Sequence, residues 1–173
     1  IHEKTAPELA RMIEETRRLH REAFGTDDDL LDVLQLTHSG RHSVPHRSIA
    51  YHNPYVDAKT GVPPDYPVIG DDELERLEDD YVQAARLACR AGFRAIDIKA
   101  THGYLLVELL GAKNRPGRYG GPLENRLRLM RNVIGKIRAE LGGRLLLAVR
   151  LGCYDGVPYY KDPVTGLGVP CRY

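Results

Sequence analysis

Three amphipathic helical patterns alternate with three short apolar runs along this chain, and that order limits the fold more than any other feature. Between Ala6 and Phe24, residues Leu9, Met12, Ile13 and Leu19 recur on one helical face. Thr5 and Glu8 have the spacing of a capping box, Pro7 suits the first turn, and Gly25 ends the helix. The run Leu30–Leu36 reads as a buried strand. A second helix is expected over about 72–91, with Leu74, Leu77, Tyr81, Ala84, Ala85 and Ala88 on one face. Phe93–Lys99 reads as a strand and Tyr104–Leu110 as a short helix. Leu123, Leu127, Met130, Ile134, Ile137 and Leu141 predict one long helix over 123–141, and Leu145–Leu151 reads as the third strand. Helices interleaved with strands require parallel strands joined by right-handed crossovers. The fold class is therefore α/β, either an open doubly wound sheet or part of an eightfold barrel. No GxGxxG follows a strand, which counts against the dinucleotide fold.

Composition narrows the function. The chain has 173 residues, enough for one domain, and 42% of them are apolar, which suits a packed core and argues against disorder. Lys plus Arg number 25 against 24 Asp plus Glu, so neither a nucleic-acid nor a polybasic membrane partner is expected. No apolar run approaches the ~18 residues of a membrane span, and no signal-like segment opens the chain. Cys89, Cys153 and Cys171 include no CxxC pair and read as reduced thiols in a cytoplasmic protein. The absence of an initial Met and the turn-like tail Pro170–Tyr173 suggest a piece of a longer chain.

Residues 38–70 show no clear period and hold four of the seven histidines and five of the eleven prolines. They read as a loop over a site, with a small hairpin near Asn53–Gly61. His42, His46 and His52 read as solvated loop residues; their spacing fits no metal motif, and no metal is expected.

In parallel α/β proteins the chemistry sits at the carboxyl ends of the strands. In the middle strand, alternation puts Ala95, Asp97 and Lys99 on one face, with His102 and Tyr104 just beyond. A cation, an imidazole and a phenol there can hold a carbonyl or phenolate oxygen and supply a proton. Arg150, at the end of an apolar strand, suits an anionic ligand group, and Gln35 suits the edge of a heterocycle. The plainer readings stand beside these. Lys99 could only pair Asp97, and His102 could be a satisfied loop histidine. Arg150 could clamp a neighbouring carboxylate, Gln35 could cap a strand end, and Tyr104 could be core.

At these residues the chain resembles the flavin-dependent oxidoreductases of the Old Yellow Enzyme type. Gln35–Arg41, Ala91–Leu106 and Val149–Leu151 carry the resemblance, with Asn114, Arg115, Arg118 and the run Tyr119–Arg126. It extends over about residues 5–151. It implies an FMN-binding (β/α)8 TIM barrel, of which this chain holds helix 2 to strand 5, residues 1–173 being the central part of one domain without strands 1–2 and 6–8. Gln35 would bond the flavin pyrimidine edge, and Arg150 would lie near flavin N1 and O2. His102 and Lys99 would hold the substrate carbonyl, and Tyr104 would protonate the α-carbon. Hydride would pass from NADH or NADPH through flavin N5 to a small-molecule acceptor, an activated alkene or a carbonyl-conjugated acceptor. His38 and Arg41 would shape the loop or lie near the cofactor.

Lys99 departs from the resemblance, since histidine is commoner there. A charged donor suits an anionic or strongly polar acceptor. Three strands cannot close a barrel, so 173 residues alone are expected to hold FMN weakly and to be inactive. Two other readings remain open: a Schiff-base lyase or aldolase using Lys99, and a non-catalytic fragment that only associates. The preference between NADH and NADPH stays open, as does a homo-oligomer.

Overall fold

The computed structural model describes residues 1–153 and 157–171, so Arg172 and Tyr173 of the expected tail lie outside the described residues. In chain order the elements are α1 (Ala6–Phe24), β1 (Val33–Leu36), a 3-10 turn (Gly40–His42), α2 (Pro54–Thr60) and α3 (Asp71–Arg90). They continue as β2 (Ala95–Ala100), α4 (Leu105–Gly111), α5 (Leu123–Arg126), α6 (Arg128–Leu141), β3 (Leu146–Leu151), β4 (Tyr159–Lys161) and β5 (Gly168–Pro170). The chain divides into two compact units. Unit one comprises Ile1–Thr37, Asp72–Lys99 and Leu129–Arg150; unit two comprises His38–Asp71, Ala100–Arg128 and Leu151–Tyr173.

Unit one is built on the alternation of helix and strand. The three strands lie in the order β1-β2-β3. β1 runs parallel to β2, with Val33 opposite Ala95 and Leu36 opposite Ile98. β3 also runs parallel to β2, because Leu146 N–H donates to Arg94 O at 3.0 Å and Gly152 N–H to Ala100 O at 2.8 Å. All six residues of β2 are buried, as a central strand requires. The expectation of a buried first strand holds less well. β1 is four residues long and Val33 is exposed, because a strand at a sheet edge has one flank uncovered.

Helical periodicity places the core. Leu74, Tyr81, Ala85 and Ala88 of α3 and Leu129, Val133, Ile137 and Leu141 of α6 are buried, as is Ile13 of α1. Each large apolar side chain so placed contributes about 1.5–3 kcal/mol. Glu78 lies among them, 2% exposed, where periodicity alone would not put a carboxylate. Asn132 Nδ2 donates to it at 2.8 Å and Lys136 pairs with it at 3.1 Å, so its charge is compensated. Asp32 does similar work in front of β1. Its carboxylate accepts from Arg17 Nη2 at 2.6 Å and from Arg94 N–H at 2.7 Å, joining α1 to the approach to β2.

Three local expectations need correction. Thr5 makes no capping box: its Oγ1 turns back and donates to His2 O at 3.1 Å, and Thr5 itself is helical. The predicted helix over 123–141 is two helices, α5 and α6, with Leu127 between them. The expected hairpin near 53–61 is α2. Asn53 Oδ1 accepts from Tyr55 N–H and Val56 N–H, Pro54 opens the helix, and Gly61 closes it in the left-handed conformation. Asn before Pro is a helix-start signal, and here it outweighs the turn reading.

Unit two is held by buried arginines. Arg41, with its side chain 1% exposed, donates to Asp57 Oδ1 at 2.7 Å, to Tyr51 O at 3.1 Å and to Glu108 Oε1. Arg115 donates to Ala50 O at 2.8 Å, Ile69 O at 2.7 Å and Asp71 Oδ1 at 2.8 Å. These bonds satisfy loop carbonyls that no sheet or helix pairs, which is how residues 38–71 stay ordered with little regular structure. Gly40 has φ +59°, and a Cβ there would meet Leu105 N at 2.8 Å, so the turn and its approach to α4 both require glycine. β4 and β5 form an antiparallel pair that periodicity did not reveal. Among the described residues no helix is long and apolar enough to cross a membrane.

Candidate active site

In unit one, the strands bring three of the chain's polar residues into one row. Gln35 of β1 stands opposite Asp97 of β2 in register, and Gln35 Nε2 donates to Asp97 Oδ2 at 2.7 Å. Arg150 of β3 reaches the same oxygen from the other side, with Nη2 at 3.3 Å. The Asp97 carboxylate thus orients a carboxamide and a guanidinium. Both retain capacity beyond these bonds: a carboxamide oxygen accepts, and a guanidinium carries five N–H donors. The Arg150 side chain is 58% exposed, whereas that of Asp97 is 10% exposed. Such a row complements a planar heterocycle whose edge alternates carbonyls and N–H and which carries negative charge. The reading of Arg150 as a clamp on a neighbouring carboxylate and its reading as a ligand-facing cation are therefore compatible. Lys99 lies two residues beyond Asp97 on the same face of β2 and is buried.

In unit two, the chain after β2 makes a sharp reversal. His102 has φ +62° and Gly103 φ +70°, two successive left-handed residues. Glycine adopts this without cost, but histidine sacrifices about 1–2 kcal/mol. A strained residue beside an expected site is an observation that points toward function. Tyr104 follows as the residue before α4, extended at φ −79° and ψ 170°, with its N–H bonded to Thr101 O at 3.2 Å. The rings of His102 and Tyr104 lie 6.4 Å apart, edge to face. His42, expected to be a solvated loop residue, is exposed, and its ring lies 5.7 Å from that of Tyr104. No local pattern announces this, since His42 and Tyr104 are brought together by the folding of residues 38–71. His52, also expected to be a solvated loop residue, is half-buried and bonded: Nδ1 meets Asp57 Oδ2 at 2.8 Å and Nε2 meets Tyr66 O at 2.9 Å.

Gln35, Asp97 and Arg150 thus meet in unit one, which also carries Lys99, and His102 and Tyr104 meet in unit two. Burial raises the Glu108 carboxyl above 4.5 against the opposing pull of Arg41. Burial also pushes Asp71 upward, but the Arg118 N–H and the Arg115 guanidinium outweigh it and hold the carboxyl below 3.8. The guanidinium groups of Arg115, Arg126 and Arg128 donate to loop carbonyls and the Arg118 backbone N–H donates to Asp71, so these bonds act as scaffold. Unit two also holds a cavity of about 590 Å³ whose lining includes Tyr51, Val68, Ile69, Asn114 and Arg115; none of the expected site residues lines it.

Comparison with known proteins bears on these arrangements. Residues 24–164 match the model of the NADH:flavin oxidoreductase / NADH oxidase family. The chain is 37% identical over 109 residues to NADH:flavin oxidoreductase FG08077 of Gibberella zeae, covering 60% of this chain and 26% of that protein. It is 38% identical over 96 residues to 12-oxophytodienoate reductase 1 of Oryza sativa subsp. japonica, covering 50% of this chain and 25% of that one. It is 32% identical over 160 residues to NADPH dehydrogenase of Geobacillus thermodenitrificans, covering 80% of this chain and 46% of that one. The chain therefore spans between about a quarter and a half of the length of these relatives. In fold it is similar to the Old Yellow Enzyme of Pichia sp. AKU4542, with a TM-score of 0.64 at 24% identity over 90% of this chain and 42% of that one. The parallel α/β arrangement is thus part of an Old Yellow Enzyme-type TIM barrel.

Proposed function

The chain belongs to the NADH:flavin oxidoreductase / NADH oxidase family, and from that premise we propose that its protein is an FMN-dependent enzyme reducing an activated alkene with NADH or NADPH. The observation that carries this reading is the shared Asp97 carboxylate, which holds Gln35 at 2.7 Å and Arg150 at 3.3 Å across three adjacent strands. The donor set fits FMN. The Gln35 carboxamide can both give and take a hydrogen bond along the pyrimidine edge, and Arg150 supplies a fixed positive charge beside it. When bound, the flavin supplies hydride from N5.

The remaining work falls to the chain's own residues. His102 of unit two donates to the acceptor's carbonyl oxygen and draws electron density toward it, and Lys99 at the end of β2 in unit one is a donor of the same kind. Tyr104 donates its phenolic proton to the carbon next to that carbonyl. Asp97 keeps Gln35 and Arg150 in place, so their orientation precedes ligand binding. The acceptor is a small molecule. The three free thiols suit a reducing, cytoplasmic setting.

The test is a visible spectrum of the protein isolated from its native source, followed by anaerobic addition of NADH and then NADPH. A flavin spectrum that bleaches, and returns on addition of 2-cyclohexenone, is the expected result. A colourless protein that also fails to take up added FMN would overturn the reading.

A further inference from the structure

Unit two sets an imidazole against the ring of Tyr104. His42 ends the 3-10 turn Gly40–His42, and Tyr104 precedes α4. Two backbone contacts fix the segments to each other: Leu105 N–H donates to His38 O at 3.2 Å, and Gly40 packs directly on Leu105. The His42 and Tyr104 rings lie 5.7 Å apart, tilted by 41°. The rings are thus in contact, and one water is enough to join an imidazole nitrogen to the phenolic oxygen. His42 Nε2 also faces Gly103, at 3.6 Å from where a Cβ would stand. His42 is exposed and Tyr104 half-buried, so the imidazole gives the phenol a neighbour in contact with solvent.

Three cations act on His42: Arg41, Arg47 and Lys59. Partial desolvation of the ring first, and then these charges, hold its pKa below 6.5. A neutral imidazole has one nitrogen that donates and one that accepts, which is what passing a proton across the ring requires.

We propose that His42 is a positioning residue for Tyr104 and relays protons between its phenol and solvent. The inference rests on the reading of Tyr104 as proton donor. The proton balance is simple. As the acceptor gains hydride at one carbon, the Tyr104 O–H bond breaks and its proton joins the other carbon. The phenolate then takes a proton from a His42 N–H, directly or through one bridging water. As it does so, the other His42 nitrogen takes a proton from solvent, so the imidazole stays neutral; exchange at the exposed ring then restores the first tautomer, with one solvent proton consumed per turnover.

Two measurements test it. The first needs no flavin: the His42 imidazole is titrated by NMR in the protein and in Tyr104→Phe. A phenolic oxygen that accepts from the His42 N–H favours the charged ring, so its loss should lower the His42 midpoint by about half a unit or more. An unmoved midpoint overturns the proposal. The second uses flavin-loaded protein reduced anaerobically by NADPH and reoxidised by 2-cyclohexenone from pH 5.5 to 9. His42→Ala should slow reoxidation about tenfold and change its pH profile, and free imidazole should restore the rate. His42 is exposed and its N–H bonds Ser39 O through the backbone, so this variant keeps the turn. Equal rates and profiles overturn the relay. Tyr104→Phe separates the two readings. If it slows reoxidation while His42→Ala does not, only the relay falls; if it has no effect, the role of Tyr104 falls as well.

Discussion

Arg150 Nη2 lies 3.3 Å from Asp97 Oδ2, and the guanidinium stays 58% exposed while the carboxylate is almost covered. The pair is therefore anchored at one end and open at the other. It combines a structural contact with a free cationic surface, and Gln35 shares its anchor.

Asp97→Asn tests that anchor. The amide cannot supply the charge that Arg150 meets, and its new N–H groups compete with Gln35. FMN affinity, followed by quenching of flavin fluorescence, should fall about tenfold, equivalent to about 1.4 kcal/mol. Unchanged affinity would mean that Gln35 and Arg150 need no shared carboxylate.

Arg41→Met should cost more stability than any of the other substitutions. It leaves Asp57 and Glu108 buried without their cation, and breaking such a pairing costs about 3–5 kcal/mol. Urea unfolding should show that loss, and Glu108→Gln should be milder because a neutral amide needs no counter-charge. A loss below about 1 kcal/mol in Arg41→Met would show that the network is dispensable.

His102→Gly should separate stability from activity. Relief of the left-handed strain at φ +62° should stabilise the fold by about 1 kcal/mol, read as a higher urea midpoint. Reoxidation of the reduced protein by an enone should slow, because one donor to the carbonyl is gone. A variant that is both less stable and equally active would contradict both parts.

Asp71 gives a pH dependence with a definite sign. Its folded carboxyl titrates below 3.8, so its contribution is present above that pH and is lost as pH falls through the folded value. Stability measured by urea from pH 6 to 2.5 should therefore drop at the acid end. In Asp71→Asn that part of the slope should disappear.

Several features of the fold were legible without coordinates because they depend on near neighbours. The 3.6-residue stripes of α1, α3 and α6 and the compact run of β2 repeat within a few turns of chain. The α2 helix was legible too, since Asn53-Pro54 and Gly61 mark its ends, but the density of prolines around it suggested a turn. The side chain of Thr5 had two partners within reach, the helix start and His2, and no spacing rule chooses between them.

What the sequence by itself determined is the alternation of the long helices with β1, β2 and β3 and the presence of polar residues at the ends of those strands. Those follow from period, polarity and functional group, which are properties of each residue and its near neighbours. Only the tertiary structure decided their partners. Asp97 is shared between Gln35 and Arg150, Arg41 bridges Asp57 and Glu108, and His42 lies against Tyr104. Each of these contacts joins residues far apart in the chain, and no local pattern carries information about which distant group will arrive. The register of parallel strands and the close approach at Gly40 select them, and both depend on the packing of the folded chain.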